Sequence, residues 1–371
     1  MTASDGYTIE IRGNGPFVME PVHIHRALTI RAGDGFRPVV RMVPGMPGDN
    51  YLIATHAPLV LEGLDIREES KRRSQPPLVG RSVIYSDGPS LRLANCRVWQ
   101  EEPVLELVSL ILTGRDVLLQ NCEFRTNHSH IASFGNDVPV RCVIDNCVCV
   151  GGAATHLHFA DGVNEALIEF HRSTFAMQLL AGVGFSVAPD PPSKLPGQKR
   201  VQFEASDNVF DMRFGMLEIG VVGPFVEKAK WQKAGDAEAV FMPLVGWGEE
   251  RNVYSSRSTE IRWSPRPGES RRIARGNLKD WQHRWNLTNT GSLEGAVRFD
   301  GGDLLLRAAT APEKLTPADF RLRADSAGYR AGKGGKDLGA DVDLVGPGAA
   351  YERWKKTPEY QQWLKETGQR K

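Results

Sequence analysis

The sequence predicts an all-β fold, a right-handed parallel β-helix solenoid closed by a short C-terminal helical cap. Three observations predict it. A hexapeptide that starts on an apolar residue recurs about every 25 residues. No 3.6-residue periodicity appears between residues 50 and 225. The 38 glycines and 23 prolines supply more turns than a helical protein of 371 residues would carry.

The repeat reads LEGLDI (61–66), LANCRV (93–98), LQNCEF (119–124), IDNCVC (144–149), FHRSTF (170–175) and, more weakly, ASDNVF (205–210). The fourth positions are Leu64, Cys96, Cys122, Cys147, Ser173 and Asn208, separated by 32, 26, 25, 26 and 35 residues. Helical repeats would need two amphipathic helices per unit, and the L-x-x-L-x-L spacing of leucine-rich repeats is absent. Three short strands per coil fit, each pairing in parallel with its counterpart one coil later. Aliphatic and cysteine ladders then fill the interior, and Asn95, Asn121 and Asn146 form a ladder at a bend. The longer steps are loops pushed out at residues 68–80 and 189–199. Five cysteines, an odd number with a C-x-C pair at Cys147 and Cys149, read as buried reduced thiols rather than a zinc ribbon.

In chain order, residues 1–345 form the β-helix. Residues 1–50 supply the first coils and an N-terminal plug, 51–220 the regular coils, and 221–345 elaborated coils and loops. Residues 224–237 read as a loop with a helical turn, and residues 251–254 open a last coil. Residues 251–275 carry seven arginines against two glutamates, with Trp263 among them. They read as a solvated loop region, with phosphate or uronate binding as the alternative. Trp281 and Trp285, spaced i, i+4, mark a short helix laid on the solenoid. Residues 346–371 form a helical tail, interrupted before Pro358. It docks through Tyr351, Trp354, Tyr360 and Trp363, the alternative being an aromatic platform for sugar rings.

Lys+Arg 46 against Asp+Glu 45 leaves no global field to draw the chain to nucleic acid or an anionic membrane. No apolar run is long enough for a transmembrane helix, so no membrane insertion is expected of this segment. The opening residues have neither the basic nor the apolar region of a signal peptide. That abrupt start suits a domain of a larger polypeptide.

The run ALTIRAGDGFRPVV (27–40), followed by APLVLEGLDI (57–66), resembles the opening coils of the pectate-lyase-like β-helix superfamily. Residues 319–341 resemble the stretch that closes many such solenoids. GPGAAYERWKKTPEYQQWL (346–364) is similar to the tail of β-helix regions in large planctomycete proteins, some joined to serine/threonine protein kinase domains. The resemblance implies the fold and a possible kinase fusion in the full-length chain. It implies little about chemistry, because the superfamily includes lyases, hydrolases, epimerases and non-catalytic members. The Asn-Thr-Asp and Asp-Asp signatures of polygalacturonases are absent, as is the acidic calcium cluster of pectate lyases; Glu102, Glu106, Asp137 and Asp161 are scattered.

One constellation recurs at the coil period. HSHIASF (128–134) and THLHF (155–159) lie in successive coils, and an offset of 26 residues sets His130 beside His156. His158 shares the face of His156, His128 precedes His130 by two, and Asp161 follows in a turn. These five residues are the candidate ligand-binding set. The group reads as a polar ladder facing water, a sugar contact, or a zinc-like site; no metal or cofactor is assigned. His23 and His25 read as surface without a partner. The function expected is a non-catalytic carbohydrate- or protein-binding module with a sensing or scaffolding role. The alternative is a polysaccharide lyase or glycoside hydrolase with an unrecognised site, so no catalytic residues are named.

Overall fold

Alternating segments leave one row of side chains on each face of a strand, and here each row meets its equivalent one repeat later. The computed structural model describes residues 6–42, 51–68, 82–100, 108–112, 115–134, 139–159, 165–185, 201–221, 239, 242–256, 258–266, 269–274 and 276–369. The protein is mostly β, with strands stacked in sequence order into parallel sheets. The first ladder runs Tyr7–Ile11, Leu28–Ala32, Leu59–Glu62, Ser90–Ala94, Asp116–Gln120, Val140–Asp145, Ala166–His171, Val201–Ser206 and Val245–Glu250.

The second ladder starts just beyond the hexapeptide bend. It runs Phe17–Met19, Val39–Met42, Asp65–Glu68, Arg97–Gln100, Glu123–Phe134, Val148–Phe159, Thr174–Phe185, Val209–Val221, Val253–Tyr254 and Leu293–Glu294. The third begins as Val22–Ile24, Tyr51–Thr55, Ser82–Ser86 and Val108–Leu112. It continues into the second halves of the long strands, because Leu110–Leu112 pairs with residues 132–134. Pairing along these ladders is parallel throughout the described residues. The hairpin Ile261–Arg266 with Glu269–Ala274 is antiparallel and occupies much of the arginine-rich stretch that reads as a loop in the sequence.

The third residue of the hexapeptide makes the bend. Gly63, Asn95, Asn121, Asn146, Arg172 and Asp207, then Arg251 and Gly291, all have φ between +46° and +72°. L-residues avoid this region by roughly 1–2 kcal/mol, glycine excepted and asparagine or aspartate in part. The asparagines also bond one another: Asn146 Nδ2 donates to Asn121 Oδ1 at 2.6 Å and Asn121 Nδ2 to Asn95 Oδ1 at 3.4 Å. Arg172 instead clamps Asp145 at 2.9 and 2.7 Å.

The fourth residue turns inward. Cys96, Cys122 and Cys147 are free and fully buried, and the Cys122 N–H donates to Cys147 Sγ at 3.3 Å. The row continues with N–H donors to Ser173 Oγ (3.0 Å), Asn208 Oδ1 (2.9 Å), Asn252 Oδ1 (2.9 Å) and Ser292 Oγ (3.0 Å). Two further repeats, at Arg251 and Gly291, therefore share the bend of the readable ones.

Helix α1 (Leu278–Arg284), capped by Asn277 and Asp280, closes the end of the core. Its Trp281 packs edge-on to Trp247 of the last first-ladder strand at 5.2 Å. At the other end Tyr7, Ile9 and Val18 are 66%, 50% and 65% exposed. Helix α2 (Leu304–Thr310) and Phe320 cover the outside of the second ladder, over Val148, Val150, Ala176 and Val209.

The tail does not cap the C-terminal end; it straps the flank backwards. Gly339 N–H donates to Asp207 O, Asp341 N–H to Asn146 Oδ1, and Gly346 N–H to Asn121 O, while Asn95 Nδ2 donates to Leu344 O. Helices α3 (Ala349–Trp354) and α4 (Pro358–Glu366) then lie on the first ladder. There Tyr351 Oη, Trp363 Nε1 and Gln369 Nε2 donate to the buried Glu62 carboxylate at 2.6, 2.8 and 2.6 Å. Among the described residues no helix is long and apolar enough to cross a membrane.

Candidate functional site

Parity along the third ladder decides what faces solvent. Phe134, Leu157, Val183, Ile219 and Trp263 point into the core. Their neighbours occupy the alternate register row, which carries His23, Tyr85, His156, Glu218 and Arg262, with Ala54, Ile111, Ser133 and Gly182 at its other positions. The row runs the length of the coils and carries two groups of rings.

The middle group contains two of the five residues singled out in the sequence. A 26-residue offset would pair His130 with His156, but the register shifts after Thr126 and His130 pairs with Ala153. The two rings nevertheless meet, 4.6 Å apart and tilted by 30°, because strand side chains lean along the strand. The His156 ring also covers Gly182, where a Cβ would sit 2.7 Å from its Cδ2. Burial, and then the neighbouring His156, push the His130 imidazole down to about 3, so it is neutral at ordinary pH. The backbone of His158 follows with the parity of His156, opposite Gly184. The side chains of His128 and His158, and all of Asp161, lie outside the described residues.

The second group corrects the reading of His23 and His25 as partnerless. His25 stacks on His56 with ring centroids 5.3 Å apart and planes 12° from parallel. His56 Nδ1 lies 2.6 Å from Asp87 Oδ1. His23 meets Tyr51 edge-on at 5.7 Å, and Tyr51 stacks on Tyr85 at 5.5 Å. The signal was present in the sequence: His25, His56 and Asp87 are spaced by 31 and 31 residues, one coil each. The three histidines of this group are exposed, and the two tyrosines are half-buried.

Because these rings lie against one another along the coil axis, their faces are largely taken. What remains outward is polar edge: phenol hydroxyls, which bond nothing among the described residues, and imidazole nitrogens. Among the described residues no three His, Cys, Asp or Glu groups converge as metal ligands.

The other sequence candidates belong to the framework. Trp263 is buried in the core, Arg251 pairs with Asp207, and Arg262 stands 5.3 Å over the Phe214 ring. Tyr351, Trp354, Tyr360 and Trp363 are buried together under the strap, which leaves no ring face for a sugar. Comparison with models of known protein families, with curated proteins and with solved structures returns no match.

Proposed function

We propose that the chain is a right-handed parallel β-helix whose third outward face binds carbohydrate without chemistry of its own. The β-helix reading is supported by strands that alternate among three ladders in chain order. The binding reading is carried by one observation, the His23–Tyr51–Tyr85 run of ring contacts, edge-on and then stacked, beside His25–His56–Asp87, on the face that also holds His130 and His156. Sugars present many hydroxyls that donate and accept, and a comb of phenol and imidazole edges offers both roles at a fixed spacing. Stacking holds the rings in place, so little side-chain entropy is lost when a ligand arrives.

A glycan array probed with the wild type and with Tyr51→Ala/His56→Ala/Tyr85→Ala tests this, both proteins having the same circular dichroism and melting temperature. The wild type is expected to retain at least one polysaccharide class that the variant loses. Equal retention, or none by either protein, contradicts the reading. New reducing ends or unsaturated products accumulating from the retained polysaccharide would favour the alternative, a lyase or hydrolase.

A further inference from the structure

A cavity of about 770 Å³ opens where the long strand Val209–Val221 meets the covering segment around residues 295–309. It lies on the outside of the second ladder, apart from the histidine face, and the argument for it stands without that face. Asp211 and Arg213 are two residues apart with core-facing Met212 between them, so both point outward, roughly 7 Å apart along the strand.

Arg213 is exposed and has no ion-pair partner among the described residues. At the rim, Arg298 and Arg323 share Asp325, at 2.5 and 3.2 Å. Across the cavity α2 presents Leu305 and Leu306, and Leu306 is 58% exposed although its helix serves to cover apolar surface. An uncommitted guanidinium, a carboxyl beside it and an exposed leucine wall in one cavity are the parts of a ligand site.

The geometry points to a binding site for an amphiphilic monoanion, a carboxylate on a hydrocarbon body. The ligand carboxylate pairs with Arg213 and its hydrocarbon lies on Leu305 and Leu306. Asp211 completes the head-group contacts. Burial raises its pKa, against a bond from Ser255 that lowers it, and Asp303 at the start of α2 raises it further. Protonated, Asp211 donates a hydrogen bond to the ligand carboxylate; ionised, it repels it. The charged groups that face it are Asp303, Arg213, Arg298 and Arg323.

Calorimetric titration of the full chain with octanoate, acetate and octylammonium tests the site. Octanoate is expected to bind at least about ten-fold more tightly than acetate, since burying two methylenes suffices for that ratio. Arg213→Gln should weaken octanoate at least about ten-fold with an unchanged melting temperature, the effect of one charge-assisted pair. Over the pH range in which octanoate itself stays ionised, wild-type affinity should fall as pH rises, and Asp211→Asn, which keeps a donor without charge, should flatten that dependence. Octanoate binding no better than acetate, binding by Arg213→Gln equal to wild type, octylammonium binding as tightly as octanoate, or no octanoate binding at all would each overturn the proposal.

Discussion

Asn121 shows how much one residue does at the bend. It holds a left-handed backbone, accepts from Asn146 and donates to Asn95. Asn121→Ala is expected to lower stability by about 2–4 kcal/mol, combining backbone strain with two buried polar groups left short of partners. Equilibrium denaturation with an unchanged m-value checks it. Arg172 occupies the same conformation with a side chain that does not favour it, held by a partly exposed ion pair with Asp145. Glycine there should therefore be more stable than alanine by about 1 kcal/mol, the reverse of the usual order beside a strand. His130 brings a pH dependence. Its folded value lies below the unfolded one, so the unfolded chain binds the extra proton between the two. Stability is full above about 6.5 and falls as pH drops toward about 3, by at most about 1.4 kcal/mol per pH unit. His130→Gln should remove that component from stability measured at pH 7 and pH 4.

At the scale of elements, the strap is tied to the first ladder by the Glu62 carboxylate, which is fully buried and takes donors from Tyr351, Trp363 and Gln369. Tyr351→Phe removes one donor and leaves a buried carboxylate oxygen short, for an expected loss of about 1–3 kcal/mol. Trp363→Ala removes the indole as well, for about 3–5 kcal/mol, and limited proteolysis should then release the tail before the coils are cut. The elements differ in how far the sequence reveals them. Position by position, the hexapeptide predicts what turns inward and what bends, because the left-handed asparagines and the interior thiols recur at nearly constant spacing. The tail's course is hidden. Its bonds join residues some 200 positions apart through backbone groups, and backbone groups leave no compositional trace. The meeting of His130 with His156 was readable, but the shifted register was not, since the extra residues after Thr126 sit inside an apparently regular strand. The ring group of the first coils was missed because, apart from the His23–His25 pair, its contacts join residues about 30 positions apart, which no short motif contains.

At the scale of the whole molecule, the proposed place of recognition is one outward face. Three coil steps separate the Tyr85 row position from that of His156, through Ile111 and Ser133. At about 4.8 Å per step Tyr85 and His156 stand ~14 Å apart along one surface. A ligand that uses both must be long enough to span them. The most direct test is calorimetric titration of an oligosaccharide length series, drawn from the polysaccharide class retained on the array, into the wild type and into His130→Ala/His156→Ala. The account predicts that wild-type affinity climbs with chain length until the oligosaccharide spans about 14 Å and then levels off. In the variant the climb should be lost while short oligosaccharides bind as before. Affinity independent of length, or a climb that survives in the variant, would contradict it.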